Sequence, residues 1–476
     1  MNGRILARCA IALALATALI APLAAQSSPK ALSVEEAVAS GLATDPGILS
    51  AILDARAAKF READARFKML PSLAVSAGYT QLSPEPALSF SSLPSADIQT
   101  LINDGYMPTL EKLAPVLDDL FSPIDHSEDV RVDLQYPIFA GFRLEEAAKI
   151  AKYQALGKEA ATELTQHALA FEIKRAYWEA VRTQSNVQAV RNALELESVL
   201  RDETAKLAAQ GMANEADSLA EKSRYDQTKL ALDEILSGQE LAFLTLSSLV
   251  GDRNASQGEE VEYMLTSVPG SEPLTDTLKA AEEGDDRTLV ERALANRPET
   301  KVATIALEAE EAARVAARSD LYPTLLLTGS LYYADPDPRI FPEEDQFNLS
   351  WSVGLRLRYD IGGVPGALER GKAADADLEK ARADLARQHN AIALDVRKCA
   401  LALKRAHNSL ELTQGMVAQA EEGERVAGQK YVVGTAKHSE VLQAQLALVR
   451  AELAVKGKLI DVEIAQADFA RAIGSE

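Results

Sequence analysis

The sequence predicts a mainly α-helical chain with four membrane-type β-strands, built from two copies of one unit. Three observations predict this fold class. The chain of 476 residues resembles itself at a fixed spacing, it contains a very long proline-free run of helix-favouring residues, and four short segments alternate apolar with polar residues. Each copy follows the same order, namely helix, strand, loop, strand, long helix, glycine turn and returning helix.

The two copies are defined by pairs of equivalent residues. One constant spacing in the numbering relates Tyr136 to Tyr359, Gly211 to Gly434 and Gly251 to Gly474, whereas a larger constant spacing upstream relates Pro46 to Pro298 and Pro71 to Pro323. The first repeat is predicted over 26–251, an acidic irregular linker over 252–287 and the second repeat over 288–476. The difference between the two spacings marks an insertion between Tyr79 and Val130, which is predicted to be a long loop.

The N-terminal segment 1–25 is predicted to be a secretory signal peptide. Arg4 and Arg8 precede an apolar stretch from Ala10 to Ile20, and small residues follow. The lipidated cysteine of a lipoprotein signal follows the apolar stretch, whereas Cys9 precedes it. Lipid anchoring at Cys9 is therefore not expected. After cleavage only Cys399 would remain, which excludes an intrachain disulfide.

Charge and hydropathy restrict the partners. A formal net charge of -21 argues against nucleic acid as a partner, because the negatively charged protein and the negatively charged nucleic acid repel each other. No apolar run long enough for a membrane-spanning helix follows the signal segment, so any crossing of a membrane would use strands.

The strands are predicted at about 71–82, 129–139, 323–334 and 347–361. In each, apolar residues alternate with polar or charged ones. A soluble two-sided sheet packed on helices would also give such a pattern. If the strands span a bilayer, their charged faces point into a barrel interior, which would be lined by Arg131, Asp133, Arg356, Arg358 and Asp360.

Four strands are too few to close a barrel, because the smallest bacterial barrels have about eight. Each unpaired backbone group in hydrocarbon raises the free energy of the folded state by roughly several kcal/mol. Membrane insertion would therefore require several chains to share one barrel.

The remaining length is predicted to form two helical hairpins, at 143–250 with its tip at Gly211 and at 366–473 with its tip at Gly434. The first run, from about Arg143 to Gln210, would extend roughly 100 Å at 1.5 Å per residue. Its apolar stripe, which includes Leu164, Phe171 and Trp178, is typical of coiled-coil packing.

Sequence features of an enzyme are weak. The segment Gly366–Ala373 differs from a phosphate-binding loop at a single position, because Ala373 stands where a hydroxyl residue is needed. The five histidines show no metal-ligand spacing, and no nucleophile lies in a recognisable triad. We therefore predict no catalytic activity, no metal and no cofactor.

Several segments together resemble the TolC-like outer membrane factors. They are LSVEEAVASGLATDPGI, MLPSLAVSAGY, LYPTLLLTGSLYY, YPIFAGF and KYVVGTAKHSEVLQAQLALVRAEL. The resemblance implies a homotrimer whose twelve strands form one barrel in outer membrane lipid, with the long helices as a tunnel in the periplasm. It further implies a passive exit duct of a tripartite efflux pump or type I secretion system, with a periplasmic adaptor (membrane fusion protein) and an inner-membrane pump as partners.

The resemblance also implies roles for individual residues. The tips where an adaptor docks correspond to Gly211, Met212, Val433, Gly434 and Thr435. The closed end of the tunnel corresponds to Glu440 and Gln443, with Asp217 as the first-copy counterpart of Glu440. Lys437 lies next to Ala436, where the family has a basic residue that locks the aperture.

A soluble periplasmic coiled-coil adaptor or scaffold is the alternative. Such a protein would also show alanine-rich hairpins after a signal peptide. It would carry one hairpin flanked by small β-modules, whereas this sequence predicts two hairpins and four alternating strands.

Overall fold

The computed structural model describes residues 30–83, 126–252, 263–270, 286–340 and 346–475. The predicted signal peptide and most of the predicted first-copy loop lie outside these residues. The chain divides into two units. Unit 1 comprises the described residues within Met1–Leu49, Glu163–Arg297 and Ala391–Glu476, and unit 2 those within Ser50–Thr162 and Pro298–Asn390.

Helices dominate the described chain, as the predicted fold class requires. The helices are α1 (Val34–Thr44), α2 (Pro46–Phe67), α3 (Arg143–Ala209), α4 (Glu215–Val250), α5 (Asp286–Asn296), α6 (Pro298–Ala317), α7 (Val364–Val432) and α8 (His438–Ile473). The strands are β1 (Lys30–Leu32), β2 (Ser72–Gln81), β3 (His126–Phe139), β4 (Tyr263–Leu265), β5 (Thr324–Asp335) and β6 (Asn348–Arg358).

The bounds of the helices follow the two spacings found in the sequence. Helix α8 begins and ends at the residues equivalent to the first and last residues of α4, with the same spacing in the numbering that separates Gly434 from Gly211. Helix α5 likewise begins and ends at the residues equivalent to the first and last residues of α1, with the spacing that separates Pro298 from Pro46. Each copy therefore builds the same elements at equivalent positions.

The start of α1 has the capping box that its sequence predicts. The Ser33 hydroxyl accepts a hydrogen bond from the backbone N–H of Glu36, and the Glu36 carboxylate accepts one from the Ser33 N–H. These two bonds satisfy donors that have no partner inside the helix. Pro46 then begins α2, because a proline is well tolerated at the first helical position.

Unit 2 contains a four-stranded antiparallel sheet in the order β2-β3-β5-β6. The register pairs Val75 with Val132, Val132 with Leu331, and Leu331 with Trp351. Because directly paired residues lie on the same side, one face of the sheet is apolar across all four strands. The outer edges of β2 and β6 have no strand partner among the described residues.

Strand β6 ends at Arg358, so it is shorter than the predicted 347–361. The Asp360 carboxylate accepts a hydrogen bond from the backbone N–H of Gly363 at 3.2 Å. This turn leads the chain from the strand into α7. Asp360 therefore lies beyond the strand whose polar face it was expected to share.

The segment YPIFAGF forms the corner between β3 and α3. Gly141 has a φ of 62°, and a Cβ atom there would collide with the backbone carbonyl of Ser319. The ring of Phe142 packs edge-on against Phe139 and Tyr322, at centroid distances of 5.3 and 5.5 Å. The glycine is needed for the tight turn, and the aromatic rings fix it.

Unit 1 contains a small parallel sheet of β1 and β4. Strand β4 lies within 252–287, which we expected to be irregular, so that expectation was wrong for Tyr263–Leu265. A strand of three residues is too short to produce a recognisable alternation. The pairing places Lys30 opposite Tyr263 and Leu32 opposite Leu265.

Two apolar clusters hold unit 1 together. The first surrounds Ile173 and Tyr177 of α3, with Leu246 of α4 and Ile460 of α8. The second joins α5, α7 and α8 through the buried residues Leu289, Ala293, Ile392, Val396, Cys399, Leu403, Phe469, Ala472 and Ile473. The first cluster thus joins helices of both repeats within this unit.

Candidate functional site

The first candidate region is the polar face of the sheet in unit 2. Arg131 lies over the ring of Tyr332, with 4.8 Å between its guanidinium carbon and the ring centroid. The Asp133 carboxylate accepts a hydrogen bond from the Ser330 hydroxyl at 2.6 Å. The sequence indicated the two charged residues of β3, but their partners on β5 became visible only through the strand register.

Two further arginines lie on this polar face near the end of β6. Arg356 pairs in register with Leu326, and Arg358 pairs with Thr324. Arg358 also accepts a hydrogen bond on its backbone carbonyl from the Thr324 hydroxyl at 3.3 Å. Arg339, which sequence analysis did not indicate, donates to the Ser352 hydroxyl of the same face at 3.4 Å.

The opposite face of the sheet is a continuous apolar surface. Trp351 is 72% exposed, and its apolar neighbours in register are also accessible. The exposed members include Leu73, Val75, Val130, Leu331, Tyr333, Leu349, Val353, Leu355 and Leu357. Tyr333 and Phe347 stack near one end of the sheet, with centroids 4.9 Å apart. An apolar surface of this extent marks a site of contact with lipid or protein.

The second candidate region comprises the two glycine turns of unit 1. Gly211 and Gly434 have φ angles of 72° and 78°. The Leu207 carbonyl accepts from the backbone N–H groups of Met212 and Ala213, at 2.9 and 3.3 Å. Because the glycine has a left-handed backbone conformation, the last carbonyls of the helix can accept these hydrogen bonds.

The second turn repeats this geometry at the equivalent positions of the second repeat. The Lys430 carbonyl accepts from the N–H groups of Thr435 and Ala436 at 2.8 and 3.2 Å, and from the Thr435 hydroxyl at 3.0 Å. Both turns present exposed apolar side chains, and Val433 is 76% exposed. Gly211, Met212, Gly434 and Thr435 are also exposed, so every predicted docking residue is accessible.

The predicted aperture residues lie at the N-terminal ends of the returning helices. Lys437 precedes α8, and its backbone N–H donates to the Glu440 carboxylate at 3.4 Å. Gln443 is exposed one turn later. Asp217 lies in the first turn of α4, where Asn214 caps the helix by accepting from the Ala216 N–H.

One contact near the second turn was not indicated by the sequence. His438 Nε2 lies 3.5 Å from the Glu203 carboxylate of α3, and the His438 ring packs beside Tyr431. Residues 203 and 438 belong to different repeats, so no local pattern predicts their contact.

A further contact joins the two helices of the first hairpin. The Arg201 guanidinium lies over the Tyr225 ring of α4, 4.2 Å from the centroid. A hydrogen bond from Arg201 to the Asp202 carboxylate raises the pKa of the guanidinium above its ordinary value. The Arg201 side chain therefore stays charged while it spans α3 and α4.

Metal ligands and thiols give no candidate site among the described residues. Within these ranges, no group of three or more His, Cys, Asp or Glu side chains is placed to hold a metal ion. Cys399 is only 6% exposed, and burial raises the pKa of its thiol to about 12. No helix in the described ranges is both long enough and apolar enough for a membrane span.

Comparison with known proteins identifies the family. The sequence profile of the outer membrane efflux proteins matches residues 38–252 and 289–475, which is most of the chain. The chain belongs to the outer membrane efflux protein family. As a member of this family, it is a transport protein of the outer membrane. None of the curated protein sequences matches the chain significantly.

Solved structures of bacterial membrane proteins share the fold of this efflux family member. A membrane protein from Pseudomonas aeruginosa is 21% identical with a TM-score of 0.71, and the alignment covers 93% of both chains. The outer-membrane channel OprN is 18% identical with a TM-score of 0.72, over 93% of this chain and 90% of that one. The Campylobacter jejuni CmeC outer membrane channel is 16% identical with a TM-score of 0.72, over 93% and 85%.

Proposed function

We propose that this efflux family member is a homotrimeric exit duct, which conducts solutes passively from the periplasm across the outer membrane as part of a tripartite pump or type I secretion system. The observation that carries the proposal is the sheet of unit 2. Its four strands combine one continuous apolar face, one charged face and two edges that have no strand partner in the described chain.

The two edges give the reason for oligomerisation. In hydrocarbon, each unpaired backbone group costs several kcal/mol, roughly, so β2 and β6 require partners. Pairing β2 of one chain with β6 of the next satisfies both edges around a closed ring. Three chains then supply twelve strands, and the smallest bacterial barrels have about eight.

The two faces give the orientation of the sheet. The face that contains Trp351 and Val75 meets lipid, because the transfer of apolar side chains from water to hydrocarbon is favourable. The opposite face lines the aqueous interior, and it carries Arg131, Asp133, Arg356 and Arg358. Asp360 belongs to the turn at the periplasmic mouth of this barrel.

The helical hairpins supply the periplasmic part of the duct. Their turns present Met212 and Val433 as apolar contacts for a periplasmic adaptor, with Gly211, Gly434 and Thr435 forming the backbone of the docking surface. The duct conducts passively, so an inner-membrane pump supplies the energy for transport. Engagement of adaptor and pump moves the returning helices outward, and Asp217, Lys437, Glu440 and Gln443 lie at the aperture that opens.

The first experiment tests the shared barrel. The protein is extracted from an outer-membrane fraction in mild detergent, its mass is measured by light scattering, and it is reconstituted into planar bilayers for conductance measurements. We expect three chains in a detergent belt and discrete ion currents. A monomer that stays soluble without detergent would overturn the proposal.

The second experiment tests adaptor docking at the turns. A photo-crosslinking amino acid replaces Val433 at the second turn or, as the control, Arg387, an exposed residue early in α7. We expect crosslinks from position 433 to a periplasmic adaptor in cells. Equal crosslinking from both positions would contradict a role of the turn in docking.

A further inference from the structure

Among the described residues, the polar face of the sheet carries more arginines than carboxylates. On the strands, the guanidinium groups belong to Arg131, Arg356 and Arg358, and the carboxylates to Asp129 and Asp133. Just outside the strands, Arg339 contacts Ser352 and Asp360 lies in the turn after β6, so four arginines stand against three carboxylates. The net charge of the chain, by contrast, is -21. The polar face therefore differs in sign from the chain as a whole.

The carboxylates of this face do not neutralise the arginines of β6. Asp133 accepts its hydrogen bond from Ser330, and Asp129 lies beside Gly78 near the other end of the sheet. In register, Arg356 and Arg358 face Leu326 and Thr324. Among the described residues neither guanidinium has an ion-pair partner, and the nearby Asp360 carboxylate is bonded to a backbone N–H.

Other carboxylates where the strands join the helices are each shared by two arginines. Asp320 lies 2.8 Å from Arg370 and 3.7 Å from Arg143. Asp375 lies 2.6 Å from both Arg314 and Arg318. These acids already pair with two cations each, and neither forms an ion pair with Arg356 or Arg358.

We propose that Arg356 and Arg358 form an anion-attracting ring inside the barrel, at the end where the strands meet the helices, which favours passage of solutes bearing carboxylate, phosphate or sulfate groups. This inference rests on the trimeric barrel proposed above. Two arginines per chain place six guanidinium groups around one lumen. Guanidinium stays charged at every physiological pH and binds such oxyanions in a bidentate manner.

The setting strengthens the field of this ring. A passage lined by charge of one sign and bounded by low-dielectric walls focuses field lines and raises the local concentration of oppositely charged solutes. The apolar face behind Arg356 supplies such a wall, because Leu355 and Leu357 lie on the opposite side of the same strand.

The local potential is measured with a cysteine reporter at Thr328. This residue lies on the polar face opposite Gly354, so it is the diagonal neighbour of Arg356, roughly 7–8 Å away. Its hydroxyl donates a hydrogen bond to the Gly354 carbonyl. Thr80→Cys, on the polar face of β2 near the opposite end of the sheet, serves as the matched control.

Both variants are treated with an anionic and a cationic methanethiosulfonate of similar size, the sulfonatoethyl and trimethylammonioethyl reagents, in detergent-solubilised protein. The buried Cys399 gives a low background, which the wild-type protein measures. We expect the anionic-to-cationic rate ratio to be roughly tenfold higher at position 328 than at position 80. In about 1 M salt, where the Debye length is about 3 Å, this difference should disappear.

The arginines are then replaced in the Thr328→Cys background. R356Q with R358Q should lower the rate ratio to the value at position 80, whereas R356K with R358K should retain most of it. An unchanged ratio in the glutamine variant would overturn the anion ring. Light scattering on the same samples tests the trimer separately, so a trimer with equal rates disproves only this inference.

Discussion

The hydroxyl of Tyr177 donates a hydrogen bond to the backbone carbonyl of Leu32 at 3.0 Å. The same oxygen accepts a hydrogen bond from the N–H of Ser267, also at 3.0 Å. One buried side chain of α3 thereby joins the ends of β1 and β4, which lie far apart in the sequence. The small sheet therefore depends on a residue outside it.

Tyr177→Phe should destabilise unit 1. The ring still fills the core, but the partly buried N–H of Ser267 loses its acceptor, which costs about 1 kcal/mol. We expect a lower midpoint of thermal unfolding in detergent. Tyr431→Phe removes a hydroxyl from an exposed ring and should leave the midpoint nearly unchanged. Equal losses in both variants would show that the Tyr177 bonds contribute nothing specific.

The two faces of β6 should tolerate charge very differently. Val353→Arg places a cation on the face assigned to lipid, at a cost of about 2–4 kcal/mol near the bilayer midplane. Its neighbour Ser352 points to the polar face, so Ser352→Arg removes only the 3.4 Å contact with Arg339. The measurement is the yield of folded trimer in the outer membrane. A similar yield from both variants would contradict the assignment of the faces.

Gly434 and Gly428 should respond in opposite directions to replacement by alanine. A Cβ at Gly434 meets no atom within 4 Å, but the φ of 78° costs an L-residue about 1–2 kcal/mol. Gly428 lies inside α7 with equally open space, so alanine there should stabilise the helix by up to about 1 kcal/mol.

Proteolysis near the second turn measures this local stability. We expect faster cleavage of Gly434→Ala and slower cleavage of Gly428→Ala than of wild type. If both variants are cleaved at the wild-type rate, the turn does not depend on the left-handed glycine.

Much of this architecture could be predicted from the sequence. Alternation of period two revealed the four long strands, and composition revealed the long helices, because both signals extend over many residues. The predicted mainly helical class with four long strands is confirmed. The capping box at Ser33 and Glu36 was also visible, since both partners lie within one turn.

The missed features depend on contacts between distant residues. Strands β1 and β4 have three residues each, so their pairing leaves no periodic trace. The contact of His438 with Glu203, and the approach of Arg339 to Ser352, arise only when separate elements are packed. Asp360 looked like a strand residue because it continues the alternation, whereas its carboxylate caps the following turn.

Asp395 should matter far more for stability than other acidic residues of α7. Its carboxylate lies 2.9 Å from the guanidinium of Arg297, a residue that is only 4% exposed, and 3.6 Å from that of Arg471. Asp395→Ala leaves Arg297 buried without this partner, which should cost about 3 kcal/mol. Asp384→Ala breaks only an exposed pair with Arg387 and should cost about 0.5 kcal/mol or less.

Chemical denaturation of the detergent-solubilised protein compares the two alanine variants. Arg297→Met, measured alone and combined with Asp395→Ala, provides a further check, because the double variant removes the buried charge together with this carboxylate. The double variant should recover part of the stability lost in Asp395→Ala. A double variant that is as unstable as the sum of both single changes would contradict a charge-based origin.

Asp375 should make stability depend on acid pH. The hydrogen bond from Arg314, supported by the one from Arg318, lowers the pKa of the Asp375 carboxyl below its ordinary value of 3.8. The ionised form is favoured in the folded state, so its contribution is fully present above the unfolded pKa and is lost as pH falls through the folded pKa.

The test compares the thermal midpoints of wild type and Asp375→Asn from neutral pH to below the ordinary carboxyl pKa of 3.8. We expect wild type to exceed the variant by a constant margin near neutrality, because Asp375 is ionised in both states there. As the carboxyl becomes protonated in the acid range, the margin should shrink, since both side chains are then uncharged. A margin that grows on acidification would mean that the two arginines do not favour the charged carboxylate.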